Sequence, residues 1–203
     1  MWGKNKKRMD KISYALGLSM ANNLKASGFE NLNMDEFMKA VSEVYNQQPT
    51  SMTSEEAKNL LNNYFAELQQ KADEQNKKKG EAFLSENKKR SEVITTASGL
   101  QYEIIKQGNG AKPLETDTVR CHYEGRLIEG RVFDSSYKRN QPADFPVNQV
   151  ISGWVEALQL MPVGSKWRLF IPSELAYGVH GAGDVIGPNE ALIFDVELLE
   201  IVK

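Results

Sequence analysis

The tetrapeptide Phe133-Asp134-Ser135-Ser136 places an aromatic ring and a carboxylate side by side at the end of a segment with a strand pattern. Arg139 follows five residues after Asp134. A carboxylate in this position could act as a general acid or base, bind a metal ion, or form an ion pair that orders an apolar pocket. These alternatives imply different proteins, and the tetrapeptide alone leaves all of them open.

Other residues that commonly carry catalysis are sparse. His122 lies on the polar face of a predicted strand and His180 lies in a glycine-rich segment, and neither has a second His or Cys at the spacing of metal ligands. Cys121 alternates with apolar residues, which favours a small core residue over a nucleophile. No glycine-rich loop precedes a lysine, and Ser135-Ser136 lacks the context of a nucleophile elbow. We therefore expect no metal ion and no cofactor.

Aromatic residues are the remaining candidates, because they stand at the ends of separate predicted elements. They are Tyr123, Phe133, Phe145, Trp154, Tyr177 and Phe194. Each of them alone is typical of core packing, but two positions favour a pocket. Trp154 opens a predicted helix directly after Ser152-Gly153, where its ring can form a floor, and Tyr177 precedes a glycine-rich segment, where its hydroxyl can point outward. An aromatic depression with few polar groups is typical of a site for a small ligand or a peptide.

The C-terminal half has the patterns of strands and turns. Strand patterns occur at residues 98–106, 119–126, 166–171 and 191–202, and Glu129-Gly130 closes a predicted hairpin. A helical period covers residues 150–161 and ends at Pro162-Val163-Gly164. One short helix against an antiparallel sheet predicts an α+β domain.

The N-terminal half has the patterns of helices. One predicted helix covers residues 10–25 and ends at Ser27-Gly28, and a second follows Asn33 as its N-cap. A third begins with the capping box Thr53-Ser54-Glu55-Glu56 and continues to about residue 90, which corresponds to a helix of ~55 Å.

The apolar stripe of this third helix stops at residues 73–79. A helical section that is polar all round is expected to bridge solvent between domains or to be unstable. The apolar helices before it are few for an independent domain. We therefore expect the helical half to bury its stripe against a second copy of the chain, and Gly17 and Ala21 would permit a close helix crossing. The alternative is a monomeric bundle that packs on the C-terminal domain.

Composition divides the chain of 203 residues into two predicted domains, 1–92 and 93–203. The charge is nearly balanced, with Lys+Arg 25 and Asp+Glu 27, which argues against nucleic acid or a membrane surface as the main partner. The single cysteine excludes an intramolecular disulfide. No apolar run has the length of a membrane span or of a signal-peptide core. We expect a cytoplasmic protein, or a periplasmic one if a signal peptide has been removed.

Six segments, in this order, resemble motifs of the FKBP family of peptidyl-prolyl cis-trans isomerases. They are residues 122–130, 132–136, 150–154, 161–164, 175–178 and 192–198. The helical half is similar to the N-terminal helical dimerisation domain of the Mip/FklB-like subgroup. That similarity depends on the order of two helices and a long helix, and on Ser13-Tyr14-Ala15-Leu16-Gly17.

The resemblance implies a half-open antiparallel β-sheet wrapped on a short α-helix, preceded by an all-α domain with a long linker helix. The residues that it implies as catalytic are Tyr123, Phe133, Asp134, Tyr177 and Phe194. Those that it implies as substrate-binding are Arg139, Phe145, Val150, Ile151, Trp154 and Ile186. The Tyr177 hydroxyl and the Ile151 N–H would hold substrate carbonyls. Asp134 and Arg139 would form an ion pair at the pocket edge, so that the carboxylate takes no proton from the substrate.

The implied activity is isomerisation of X–Pro bonds in unfolded or partly folded proteins, without a cofactor. Macrolide inhibitors and a second copy of the chain are the other expected partners. The alternative function is a dimeric holding chaperone. Two positions depart from the family pattern, Ala143 where an aromatic residue is common and Gly187 where Pro-Pro is common, and both bear on inhibitor affinity more than on activity.

Overall fold

A computed structural model of the chain describes residues 9–29 and 31–202. The chain divides into two compact units, Met1–Leu68 and Gln69–Lys203. This division lies within the long third helix, earlier than the composition boundary between residues 92 and 93. The composition boundary stays a prediction, because the spatial units and the change in composition are different properties of the chain.

The helical half contains α1 (Lys11–Ala26), α2 (Met34–Tyr45) and α3 (Ser54–Asn87). The predicted single long helix is confirmed, since α3 has 34 residues and is therefore about 50 Å long. None of the helices that the structure describes has the length and apolar character required to cross a membrane.

The helix starts follow from capping side chains. The Asp10 carboxylate accepts a hydrogen bond from the N–H of Ile12 at 3.0 Å, and the Asn33 side chain accepts one from the N–H of Asp35 at 3.0 Å. At the start of α3, Thr53 and Glu56 cap each other's backbone N–H groups, at 3.2 and 2.8 Å. These bonds satisfy backbone donors that a helix start leaves without partners, which is why local sequence predicted the starts correctly.

The first unit leaves its apolar stripe open. None of the described residues of α1 and α2 is buried, although both helices carry large apolar side chains. Their facing surfaces form an apolar groove of about 620 Å³. We call this surface the α1–α2 groove; its apolar lining includes Leu16, Met20, Leu24, Phe37 and Val41. Exposed apolar area of this extent is typical of an interaction surface.

Besides the C-terminal part of α3, the described residues of the second unit form a seven-stranded antiparallel sheet and a further α-helix. The strands are β1 (Val93–Thr95), β2 (Gln101–Lys106), β3 (Thr118–Leu127), β4 (Val132–Ser135), β5 (Ala143–Pro146), β6 (Lys166–Ile171) and β7 (Leu192–Val202), and the helix is α4 (Ser152–Leu160). The strand order is β1-β2-β6-β7-β3-β4, and β5 also pairs with β3. The predicted α+β architecture is confirmed.

Strand β3 is the centre of this sheet, because it pairs with β4, β5 and β7. Its residues alternate strictly between buried and half-buried, and every second residue from Val119 to Leu127 faces the core. Helix α4 contributes Trp154, Ala157 and Leu158 to the same core. The single apolar layer between sheet and helix therefore places the aromatic rings of several elements beside one another.

Strands β1 and β5 were not predicted. Each has three or four residues, and β5 contains Asp144 and Pro146, which are unfavourable in strands. Long-range pairing overrides these local preferences, since Phe145 pairs with Val119 and Ala143 with Cys121. Ala143 thus lies in an edge strand.

Most residues of the polar section 73–79 of α3 are exposed, so the expectation of a solvent-bridging section there stays a prediction, but directly after it the helix packs against the sheet. Phe83 packs against Phe170 with ring centroids 6.0 Å apart, and the amide of Asn87 donates a hydrogen bond to Gln101 at 2.9 Å. Asn87 and Gly80 are buried. The face toward the sheet is built from small and polar residues between few apolar ones, so the sequence shows no apolar stripe there.

Candidate active site

A cavity of about 310 Å³ opens where α4 faces the sheet, and residues from several elements line it. They are Tyr123 from β3, Phe133 and Asp134 from β4, Phe145 from β5, Gln149, Val150 and Ile151 before α4, Trp154 from α4, Tyr177, and Phe194 from β7. Six of the ten are aromatic, so the walls are apolar and present few polar groups.

Trp154 forms the centre of the aromatic arrangement. Its ring lies edge-to-face with Tyr123, Phe145 and Phe194 at centroid distances of 5.5, 5.5 and 5.3 Å. Such edge-to-face contacts are favourable for aromatic rings. The indole Nε1 is buried and has no hydrogen-bond partner among the described residues. Contacts on several sides hold the ring in one orientation, as a pocket floor requires.

The start of α4 fixes the position of Trp154. The carbonyl of Ile151 accepts hydrogen bonds from the N–H groups of Trp154 and Val155, at 2.8 and 3.1 Å. The N–H of Ile151 makes no backbone hydrogen bond within the described residues. A Cβ at Gly153 would lie 2.6 Å from the Ile171 side chain, so glycine permits the close approach of α4 to β6.

Gly125 makes room for two walls of the pocket. A Cβ at this position would lie 2.6 Å from ring atoms of both Phe133 and Phe194. These two rings pack edge-to-face over the strand with centroids 5.5 Å apart. The absence of a side chain at Gly125 therefore determines where the rings of Phe133 and Phe194 lie.

Asp134 belongs to a polar network at the pocket edge. The Tyr123 hydroxyl donates to one oxygen of Asp134 at 2.5 Å, and the Arg139 guanidinium donates to the other. Arg139 also donates to the Tyr123 hydroxyl at 2.9 Å, and its guanidinium lies 5.7 Å from the centroid of the Tyr123 ring. Of the three chemical alternatives for Asp134, this geometry supports the ion pair that orders an apolar pocket.

The protonation states at the edge follow from burial and this network. Burial raises the pKa of Asp134, but hydrogen bonds from Tyr123 and Arg139 outweigh it, so the pKa lies below its ordinary value. Burial raises the pKa of Tyr123, and the hydrogen bond to Asp134 raises it further. Burial also raises the pKa of Tyr177, with a smaller effect from the charge of Asp134. At neutral pH an ionised carboxylate therefore stands beside neutral phenols.

The structure brings together nine of the eleven predicted site residues as lining of this cavity. Arg139 is not part of the lining, but it contacts Asp134 and Tyr123 at the edge. Ile186 does not join the lining either; it is 7% exposed and pairs with Ala182 inside the segment that follows Tyr177. Tyr177 is the most exposed aromatic lining residue, at 38%.

Sequence reasoning missed Gln149 and the role of Gly125. Gln149 ends a single 3-10 turn, Val147–Gln149, and a polar residue in such a turn gives no local signal of a pocket. Gly125 did carry a signal, because glycine in the interior of a strand pattern often marks a close approach of other groups.

Two family models match the chain. The model described as FKBP-type peptidyl-prolyl cis-trans isomerase matches residues 109–199, and that described as the domain amino terminal to it matches residues 9–104. The outer membrane protein MIP of Legionella longbeachae is 45% identical over 202 residues, which cover 96% of this chain and 86% of the relative. The chain belongs to the FKBP-type peptidyl-prolyl cis-trans isomerase family.

Other FKBP-type proteins agree with this assignment. The 22 kDa peptidyl-prolyl cis-trans isomerase of Escherichia coli is 45% identical and covers 94% of both chains. The crystal structure of FkpA from Escherichia coli has a TM-score of 0.79 and 34% identity, and the match covers 96% of this chain and 97% of that one. The predicted family and fold are thus confirmed, and this FKBP-type chain is an enzyme that isomerises peptidyl-prolyl bonds.

Proposed function

We propose that the cavity above Trp154 is the place where this FKBP-type enzyme twists X–Pro bonds of unfolded or partly folded polypeptides. The observation that supports this proposal is the aromatic lining, with three rings packed edge-to-face on the indole. A prolyl ring is apolar and compact, and it matches a site with these walls and this volume.

The mechanism follows from the electronic structure of the amide. Partial double-bond character makes rotation cost ~18–20 kcal/mol. Twisting the bond removes the charge separation that stabilises the planar form in water. A pocket that excludes water therefore favours the twisted form relative to the planar one, which is preferential binding of the transition state. An acceleration of 10³–10⁶-fold requires about 4–8 kcal/mol of such preference.

The polar groups have positioning roles in this proposal. The Tyr177 hydroxyl and the Ile151 N–H hold carbonyls on either side of the prolyl bond while the ring is gripped by Phe133 and Phe194. Asp134 and Arg139 keep Tyr123 in place and exchange no proton with the substrate. Arg139 acts from outside the lining of the pocket, through its contacts with Asp134 and Tyr123.

Replacing Asp134 with alanine is expected to lower kcat/KM for a proline-containing peptide by about two- to tenfold. The reason is that Tyr123 and Arg139 both lose a hydrogen-bond partner, and a hydrogen bond contributes about 0.5–1.5 kcal/mol. A proline-limited refolding assay measures the effect. The matched control is Asp144→Ala, since Asp144 also pairs with an arginine, Arg120, but does not line the pocket. Equal losses in both variants would contradict the proposed role of Asp134.

The pH dependence of kcat/KM distinguishes this mechanism from acid–base catalysis. The pKa of Asp134 lies below the ordinary value of about 3.9, and the pKa of Tyr123 and Tyr177 lies above about 10. The carboxylate thus stays ionised until the pH falls through its lowered pKa, and the phenols stay neutral until the pH rises through theirs. We expect a flat profile between about pH 5 and 9.

A bell-shaped pH profile centred near neutrality would contradict the mechanism. The contribution of His122 must be tested separately, because hydrogen bonds connect it to a pocket residue. Its ring nitrogen lies 2.9 Å from the Ser136 hydroxyl, which accepts a hydrogen bond from the Tyr123 N–H at 2.7 Å. The profile is therefore also measured with His122→Gln, which removes the imidazole without touching the pocket lining.

A dimeric holding chaperone is the second candidate function, favoured by the open α1–α2 groove. We propose that a second copy of the chain covers this groove, so that two prolyl pockets grip one client polypeptide. Two linked sites raise the effective concentration of the second binding event. The proposed address remains the cytoplasm, with the periplasm as alternative.

Macrolide inhibitors are proposed as ligands of the same pocket. Ala143 lies on β5 and is not part of the lining of the pocket. Together with Arg139 it lines a separate surface depression. A Cβ at Gly187 would come within 3.1 Å of the Asn76 amide, so glycine at this position permits contact with α3. Both departures thus lie outside the lining of the cavity.

A further inference from the structure

The segment Gly178–Glu190, here called the 178–190 loop, starts directly after Tyr177. Its ends are joined by a hydrogen bond from the N–H of Asn189 to the carbonyl of Gly178, at 2.8 Å. Within it, Ala182 and Ile186 exchange backbone hydrogen bonds of 2.8 and 3.2 Å. The loop is therefore closed on itself, and its first residue adjoins Tyr177, which lines the pocket.

Asn76 of α3 holds the base of this loop. Its side-chain amide donates a hydrogen bond to the carbonyl of Pro188 at 3.0 Å, 112 residues away in the chain. The neighbouring Gly187 leaves space for this contact, since a Cβ there would lie 3.1 Å from the Asn76 nitrogen. Pro188 adjoins Asn189, so the bond acts at the point where the loop closes.

The helix that carries Asn76 is itself held against the sheet. One turn later, a Cβ at Gly80 would lie 3.1 Å from the Cβ of Ala191, which shows how closely α3 and the end of the loop approach. Phe83 and Asn87 extend this contact to Phe170 and Gln101. Asn76 therefore projects from a helix that packing against the sheet holds in place, so its side chain can restrain the loop.

The loop tip has a different anchor. The Arg131 guanidinium donates to the carbonyl of Val185 at 2.9 Å. The Arg131 side chain is 55% exposed, whereas Asn76 is half-buried. The tip is therefore restrained from the β3–β4 connection and the base from α3, and the base is joined through the Asn189 N–H to Gly178, the residue after Tyr177.

We propose that Asn76 is a positioning residue for prolyl isomerisation, acting through the 178–190 loop on the Tyr177 hydroxyl. This inference rests on the proposed function, in which Tyr177 binds a substrate carbonyl. If the loop spends part of its time in a position in which Tyr177 cannot bind the substrate, the apparent affinity for the substrate falls in proportion to the fraction of molecules that can bind. The C-terminal part of α3 is on this view a component of the catalytic unit.

The test compares Asn76→Ala and Asn76→Asp with the control Gln75→Ala, an exposed position one residue earlier on the same helix. Alanine has a higher helix propensity than asparagine, so α3 is retained. We expect KM for a prolyl peptide to rise about two- to tenfold in Asn76→Ala at unchanged kcat, as loss of one hydrogen bond predicts. Asn76→Asp has the same shape but sets a carboxylate against the carbonyl of Pro188, and its KM should rise further.

A double-mutant cycle with Tyr177→Phe shows whether the effect passes through the hydroxyl. If Asn76 positions Tyr177, then Asn76→Ala changes KM much less in the Tyr177→Phe background. Additive effects, or a KM in Asn76→Ala equal to that of Gln75→Ala, would overturn the proposal.

Amide hydrogen exchange provides a readout that does not depend on activity. Exchange of residues 178–190 should accelerate in Asn76→Ala and not in Gln75→Ala. Unchanged exchange in both variants overturns the anchor even if the enzyme is fully active. Conversely, a wild-type protein without isomerase activity would refute the proposed function, while the exchange experiment would still decide whether Asn76 holds the loop.

Discussion

Replacing Gly125 with alanine is expected to lower kcat/KM by up to about a hundredfold. The added Cβ would lie 2.6 Å from the rings of both Phe133 and Phe194, a distance that real Cβ atoms essentially never show. The core behind β3 is closely packed, so the rings must move toward the cavity. Overpacking costs about 1–3 kcal/mol, and about 2.7 kcal/mol corresponds to a hundredfold in rate. The measurement is peptide isomerisation, together with thermal unfolding.

A compensating substitution makes this prediction specific. Phe133→Leu replaces one of the two rings with a smaller side chain, so Gly125→Ala should be less harmful in the Phe133→Leu background than in the wild type. The control Glu124→Gln changes the neighbouring residue, which does not line the pocket. An alanine variant with wild-type kcat/KM would show that Gly125 does not determine the pocket walls.

Replacing Met20 with glutamate is expected to convert the proposed dimer into a monomer. Met20 lies in the α1–α2 groove, which is open in a single chain. A dimer that covers this groove would bury the new carboxylate in apolar surroundings, and burying an unpaired charge is strongly unfavourable. Sedimentation or light scattering should therefore show the wild-type mass halved in the variant.

The control for this prediction is Asn22→Glu, which adds the same charge to α1 outside the groove. If the wild-type chain is already a monomer, the proposed dimer is refuted. The Met20 variant also separates the two candidate functions, since isomerisation of a short peptide should persist while suppression of client aggregation falls. A point substitution is preferable to deleting residues 1–92, because that deletion would also remove the contacts of Phe83 and Asn87 with the sheet.

Much of the fold could be predicted because its signals are carried by neighbouring residues. The capping interactions of Asp10, Asn33 and Thr53 act over two or three positions, so the helix starts are visible in local sequence. The alternation of buried and half-buried residues along β3 follows directly from the geometry of a strand. These elements were predicted to within a few residues.

The contacts of the second half of α3 could not be predicted from neighbouring residues. Between residues 73 and 79 an apolar stripe is missing, and the sequence favoured a solvated rod. The structure leaves most of these residues exposed, but Asn76 within the section, and Gly80 and Asn87 after it, contact other parts of the second unit. Whether a glycine or an asparagine faces solvent or a partner depends on the surface opposite, which local sequence does not contain.

By itself, the sequence determined the family, the order of helices and strands, and the aromatic and charged residues of the candidate site, because motifs and periodicity are properties of adjacent positions. Tertiary structure alone decided that Gln149 lines the cavity while Ile186 lies in the loop, and that Gly125 sets the two phenylalanine walls. These outcomes depend on distances between segments far apart in the chain, and such distances arise only when the sheet and α4 close on one core.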